Sequence, residues 1–150
     1  MAEGAITLRQ FRPEDIADII AIEQESFPDP WTQEMLEDWL TRRRCKAIIA
    51  ECDKVPVGFI ISLYGAKRID IIDIAVVPAM RKRGIARLLL EEMIKHPGCE
   101  LVSLEVRQSN IPAQMAYLKF GFIVTNIVRH FYEDDEPALR MQYIHSRFRT

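Results

Sequence analysis

RKRGIARLLLEEM (Arg81–Met93) sets three consecutive cations in front of one glycine and an apolar helical pattern. A helix start already presents unpaired N–H groups and a partial positive charge. Further cations there are unfavourable unless an anion arrives. A strand, a loop with one glycine and a helix start make an anion site by geometry alone. The N–H groups from Lys82 to Arg87 would converge on an anion the size of a phosphate, and Gly84 permits close approach and a positive φ. Two familiar phosphate loops are excluded. The Walker pattern needs a second glycine followed by Lys and Ser or Thr, and the dinucleotide fingerprint needs three glycines. Taken alone, Arg81, Lys82 and Arg83 also suit a plain solvated loop.

Working outward, the strand before the loop is IDIIDIAVV (Ile69–Val77), which ends at Pro78. KAIIAEC and VPVGFIISLY flank the polar pair Asp53-Lys54 and read as a β-hairpin, with Ile69–Val77 as the third member of an antiparallel meander. ITLRQF (Ile6–Phe11) alternates like a first strand. Pro13 suits the first turn of a helix, with Glu14 and Asp15 complementing its positive end. Ile16, Ile19, Ile20 and Glu23 repeat at helical spacing up to Phe27-Pro28. Thr32 is placed to cap a second helix through Leu40. Downstream, Ile85, Leu89 and Met93 give the apolar side of the third helix, which His96-Pro97-Gly98 stops. LVSLEV, apolar at nearly every position, reads as a strand covered on both faces. Asn110–Phe120 reads as a short helix ended by Gly121. Strands Phe122–Phe131 and Ala138–Tyr143 then close around the acidic turn Glu133–Glu136. The order β-α-α-β-β-β-α-β-α-β-β predicts an α/β fold, a mixed sheet with helices on both faces.

The 150 residues suit one domain, residues 1–150. A net charge of −2 argues against a dedicated nucleic-acid binder. The first residues, MAEGAITLRQ, lack the apolar stretch of a secretory leader, and no apolar run approaches the ~20 residues of a membrane span. Cys45, Cys52 and Cys99 are odd in number and without metal-type spacing, so free, mostly buried thiols in the cytoplasm are expected. His96, His130 and His145 form no HExxH pattern, and no zinc site is expected.

Arg81-Lys82-Arg83-Gly84-Ile85-Ala86 resembles the R/Q-x-x-G-x-G/A signature of the GNAT superfamily of acyl-CoA N-acetyltransferases. LEVRQSNIPAQMAYLKFGF (Leu104–Phe122) is similar to the L-E-V-R-x-S-N-x-x-A-x-x-x-Y-x-x-x-G-F block of its RimI-type members, the ribosomal-protein-alanine N-acetyltransferases. IEQESFPDPWT (Ile22–Thr32) resembles their I-E-x-x-x-F-x-x-P-W-S/T. The three blocks, in order, span nearly the whole chain.

The resemblance implies a single GNAT-like domain whose mostly antiparallel sheet splays between strands 4 and 5. It also implies acetyl-CoA as cosubstrate, with no metal. The pyrophosphate would lie on Arg81, Lys82, Arg83, Gly84, Ile85, Ala86 and Arg87, and the pantetheine arm against the backbone of Ile74, Ala75 and Val76. The Val76 N–H would face the thioester carbonyl and stabilise an oxyanion. Asn110 would hydrogen-bond near the thiol end. The attacking amine must be neutral, and an α-amino group with pKa ~8 needs less help than a lysine at ~10.4. Glu105, a carboxylate in an otherwise apolar strand, is the implied base; burial would make it a stronger one. Its plainer role is an ion pair with Arg107 or another cation. Tyr117 holds the family's proton-donor position for the departing thiolate. By helical spacing alone it would be a core tyrosine.

The chain departs from the pattern at Ala116, where relatives carry a larger apolar residue, and in RHFYEDDEPALRM, where Phe131 replaces a tyrosine and Pro137 an acid or amide. Tyr132 could contact a peptide, and Glu133–Glu136 could attract a basic one or be a solvated turn. Trp31 could line the peptide entrance or staple two helices. The implied reaction is acetyl transfer to a protein α-amino group, most specifically the N-terminal alanine of the eighteenth small-subunit ribosomal protein. The alternatives are other protein N-termini, a small free amine, or a catalytically silent acyl-CoA-binding module. Neither nucleic acid nor membrane is an expected partner.

Overall fold

Asp53 and Lys54 both adopt positive φ, 51° and 67°. Successive left-handed residues match the twist of a two-residue hairpin. They join β2 (Cys45–Cys52) to β3 (Val55–Tyr64), and the two strands pair antiparallel with Ile49 opposite Phe59. The computed structural model describes residues 4–145. Its other elements are β1 (Ile6–Gln10), α1 (Ile16–Ser26), α2 (Gln33–Leu40), β4 (Arg68–Val76), α3 (Ile85–Met93), β5 (Leu101–Arg107), α4 (Ile111–Phe120), β6 (Ile123–Val128) and β7 (Ala138–Ile144). The strands form one seven-stranded sheet in the order β1-β2-β3-β4-β5-β7-β6. The order of strands and α-helices matches the sequence reading, except that Pro13–Asp15 forms a 3-10 turn before α1 rather than its first turn. The chain divides into two compact units, Met1–Tyr64 with Ile72–Met93, and Gly65–Ile71 with Ile94–Thr150.

In the first unit, helices cover both faces of the sheet. Ile49, Phe59 and Ile61 project to one face and pack with Ile19 and Ile22 of α1 and Leu36 of α2. Leu36, Phe59 and Ile61 are fully buried. Alternation sends Gly58 to the other face, beneath the start of α3. A Cβ on Gly58 would lie 3.0 Å from the Ala75 carbonyl oxygen and 3.4 Å from Ile85 Cγ2. Glycine here lets a helix start approach the sheet closely. Thr32 caps α2 as its position suggests, its hydroxyl accepting from the Met35 N–H at 3.2 Å. Asp15 differs from expectation. It is 4% exposed and takes two bonds from Arg9, at 2.7 and 2.8 Å, and one from the Arg12 N–H. The bidentate guanidinium holds its carboxyl below the usual range.

In the second unit, Arg68, Ile69 and Asp70 pair in parallel with Leu101, Val102 and Ser103. This ladder covers the first three residues of each strand. β7 lies between β5 and β6, antiparallel to both. Gly121 ends α4 with φ 124°, and its N–H reaches the carbonyls of Tyr117 and Leu118. The rings of Phe120, Phe122 and Tyr143 pack at a tilt, with centroids 5.3–5.8 Å apart. The sixth strand is shorter than the Phe122–Phe131 span expected. It stops at Val128, and His130 turns the chain with φ 56°. Polar residues near a hairpin turn do not distinguish a strand end from an exposed edge. Among the described residues all three cysteines are free, but only Cys99 is buried; Cys45 and Cys52 are half-exposed, against the expectation of mostly buried thiols. No described helix is long and apolar enough to cross a membrane.

Candidate active site

The loop opens where β4 ends. Pro78–Met80 makes one 3-10 turn, then Lys82 and Gly84 adopt φ 65° and 79°, and α3 begins at Ile85. The first α-helical bond runs from the Leu88 N–H to the Gly84 carbonyl at 3.0 Å. The N–H groups of the preceding residues therefore lack helical acceptors and point out of the helix mouth. Positive-φ residues in such a turn let neighbouring N–H groups converge on an anion. A Cβ on Gly84 would meet no protein atom within 4 Å. The glycine is needed for its φ, and the ground in front of it is open. The residues present thus fit a diphosphate. Arg81 does something the sequence did not show. Its Nε donates to the Val76 carbonyl at 3.1 Å and Nη2 to Ser26 Oγ at 3.4 Å, bracing the loop against the end of β4. Lys82, Arg83 and Arg87 are exposed. Arg87 also pairs with Glu91 one turn on. In β4 itself, Ala75 and Val76 are buried and Ile74 is half-buried.

The second unit carries the proposed proton-handling groups. Ser103, Glu105 and Arg107 share one face of β5 by alternation. Glu105 lies opposite Arg140 on β7, whose Nε donates to Glu105 Oε2 at 3.3 Å. The side chain of Glu105 is 29% exposed. It is therefore partly open to solvent rather than buried as the apolar strand suggested, and its cation is Arg140 rather than Arg107. Asn110 caps α4, its Oδ1 accepting from the Ala113 N–H at 3.3 Å. Its amide nitrogen is the atom left to meet a cofactor. Tyr117 is 8% exposed and packs its ring against Phe122 at 5.9 Å.

Comparison with known proteins decides the family. Residues 16–122, from the start of α1 to just past α4, match the model of the acetyltransferase (GNAT) family. The chain belongs to the GNAT acetyltransferase family. It is similar to the putative ribosomal protein bS18-alanine N-acetyltransferase of Bacillus subtilis, 32% identical over 139 residues covering 89% of this chain and 92% of that one. It is also 31% identical to an N-alpha-acetyltransferase of Sulfurisphaera tokodaii, over 89% of this chain and 90% of the relative. Among solved structures, the ribosomal-protein-S18-alanine N-acetyltransferase of Escherichia coli superposes with a TM-score of 0.85 at 26% identity, covering 93% and 94% of the two chains.

As a GNAT acetyltransferase the chain uses its acidic turn unexpectedly. Arg107, 8% exposed, bonds Asp134 at 2.9 Å and Glu136 at 2.7 Å, and its guanidinium lies 4.1 Å over the Tyr132 ring. Glu136 also accepts from the Ser109 N–H, and its bonds to Ser109 and Arg107 lower its proton affinity. Asp135 bonds His130. The run Glu133–Glu136 is thus an exposed turn at Glu133, Asp134 and Asp135 that is pinned to β5 where Asp134 and Glu136 meet Arg107. It is a clamp that seats Tyr132. Trp31 stacks on Trp39 of α2 with ring centroids 6.1 Å apart, and its backbone N–H donates to Glu23 Oε2 of α1 at 2.9 Å. It ties the two helices together. Gly58 and Asp73 drew no notice in the sequence, Glu23 counted only as part of a helical repeat, and Arg107 only as a partner for Glu105. Only the motif Leu-Glu-Val-Arg pointed toward Arg107. An acid within an apolar run, as at Glu23 and Asp73, was the available signal for the other pair.

Proposed function

We propose that this chain, residues 1–150 acting as one acyl-CoA domain, moves an acetyl group from acetyl-CoA to the α-amino group of a protein, in the cytoplasm. The substrate to test first is the N-terminal alanine of the eighteenth small-subunit ribosomal protein. The single observation that carries this reading is the loop from Lys82 to Arg87, with its two positive-φ residues at the mouth of α3. The names of its bacterial and archaeal relatives, a putative ribosomal protein bS18-alanine N-acetyltransferase and an N-alpha-acetyltransferase, support the substrate class.

Acetyl-CoA, when bound, supplies an acyl group activated as a thioester. The amides and cations from Arg81 to Arg87 hold its diphosphate. The backbone of Ile74, Ala75 and Val76 pairs with the pantetheine arm, since the β4–β5 ladder stops at Asp70 and leaves this stretch of β4 outside it. The Val76 N–H stabilises the negative charge that develops on the carbonyl oxygen. Asn110 orients the thiol end. Glu105 accepts the proton that the amine loses, directly or through one water, as the nitrogen–carbon bond forms. Tyr117 gives its proton to the sulfur as the carbon–sulfur bond breaks. Trp31 and Tyr132, each held by its own side-chain contact, shape the peptide entrance.

Acetylation of a peptide panel varying the first residues, read by product mass, tests this reading. Ala-starting peptides should react. Peptides blocked at the N-terminus but carrying free lysines should not, and equal reaction of both would remove α-amine selectivity. Turnover of small free amines alone would move the chain to a different substrate class.

A further inference from the structure

Two carboxylic acids that the mechanism above does not use lie together inside the first unit. Glu23, near the end of α1, is 1% exposed. Its Oε2 accepts from the Trp31 N–H, while Oε1 is buried with no other hydrogen-bond partner. Asp73, in the middle of β4, has a buried Oδ2 in the same condition, and, besides burial, the Glu23 carboxyl is the charged neighbour that raises its proton affinity. Ionised carboxylates are acceptors only, so two of them cannot satisfy each other. One proton makes one oxygen a donor and completes both.

We propose that Glu23 and Asp73 share one proton, and that this bridge holds the turn carrying Trp31 against β4 beside Ile74–Val76. The pair positions residues for the reaction; it touches no reacting atom. That part rests on the proposed function, in which Trp31 borders the peptide and Ile74–Val76 the cofactor arm. Burial and the neighbouring Glu23 charge hold Asp73 well above the ordinary carboxylate range, opposed in part by a bond from the Ile74 N–H. The surrounding charges are accounted for. Arg81 is engaged by Val76 and Ser26. Glu51 of β2 pairs with Arg9. Asp18 and Glu25 of α1, Glu34, Glu37 and Asp38 of α2, and Lys46 of β2 are exposed.

The folded pair keeps a proton that the unfolded chain releases, so its stabilisation is present at low pH and lost as pH rises through the folded value. Asp73→Asn supplies an amide donor in place of the proton and should make the bond independent of pH. Melting curves and near-ultraviolet circular dichroism of the stacked Trp31–Trp39 pair are recorded from about pH 5 to pH 9 for both proteins. The wild-type midpoint should fall relative to Asp73→Asn by several degrees, on the order of 5 °C, with the tryptophan signal changing in step. Glu23→Gln should behave like Asp73→Asn, and Asp73→Leu should melt lower than either at every pH. In the wild type, peptide KM should rise against that of Asp73→Asn as pH rises. An Asp73→Asn protein with the wild-type pH slope overturns the proposal. So does a wild-type midpoint that rises with millimolar calcium or magnesium but not in Asp73→Asn, since a cation would then join the two acids. A protein that acetylates no peptide yet shows these melting and dichroism changes supports the proton bridge and ends the functional reading instead.

Discussion

Glu105 and Arg140 face each other across the β5–β7 ladder, joined by one bond from Arg140 Nε to Glu105 Oε2 at 3.3 Å. Both side chains keep roughly a third of their surface open, 29% and 35%. A carboxylate so placed is held in direction yet remains reachable by an amine or a bridging water, which is what a general base requires. Glu105→Gln removes the acceptor while keeping shape, and kcat should fall about 10²–10⁴-fold with little change in melting temperature. Tyr117→Phe should lower kcat with the KM for acetyl-CoA nearly unchanged. Thiol release that survives both substitutions together would show that these roles are wrong.

Two glycines near the loop should fail in different ways. Gly84→Ala forces a side chain into φ 79° with free space around it. The expected destabilisation is about 1 kcal/mol, while KM for acetyl-CoA rises because the amides no longer converge. Gly58→Val puts atoms against the Ala75 carbonyl oxygen, 3.0 Å from the new Cβ. That substitution should lower stability by about 1–3 kcal/mol through overpacking. Urea unfolding together with acetyl-CoA titration separates the two effects. A Gly84→Ala protein that binds acetyl-CoA as well as wild type would count against the loop as its receptor.

The Asp15–Arg9 pair titrates in the opposite sense to Glu23–Asp73. The folded Asp15 carboxyl lies below its unfolded value, chiefly through the Arg9 bond. Its stabilisation is therefore present above the unfolded value and is lost as pH falls through the folded one. Asp15→Asn should destabilise at neutral pH by about 1.5–3 kcal/mol, because Arg9 loses its charged bidentate partner and keeps only Glu51. The gap between wild type and variant, measured by urea unfolding, should close as the pH drops below about 4. A gap that stays constant down to strongly acidic pH would mean that the carboxylate is not the stabilising species.

Arg107→Met keeps the aliphatic stem and removes the charge that gathers Asp134, Glu136 and Tyr132. The β6–β7 connection should loosen. Because Asp134 is 58% exposed and can resolvate, the loss should be modest, about 1–2 kcal/mol. Peptide KM should rise more than acetyl-CoA KM, since Tyr132 lies on the proposed peptide side. Equal changes in the two constants would take Tyr132 out of the peptide site. Hydrogen exchange over residues 129–137 reads the loosening directly.

Local chemistry makes much of this molecule legible in its sequence. Positive φ at Asp53-Lys54, the Thr32 cap, the Gly121 terminator and the Gly84 loop each depend on a few adjacent residues, so the element order could be read from the chain. Hydrophobic periodicity carried the strands and helices for the same reason. Partners distant in sequence were decided only by tertiary structure. Glu105 meets Arg140, and not Arg107, because the β5–β7 register sets it opposite. The acidic turn became a clamp because Arg107 is buried beneath it. The Glu23–Asp73 pair exists because α1 packs over β4, and its chemistry depends on burial, which no stretch of sequence encodes alone. Backbone conformation is settled by neighbours along the chain, whereas ionisation and pairing are settled by whatever the fold brings alongside.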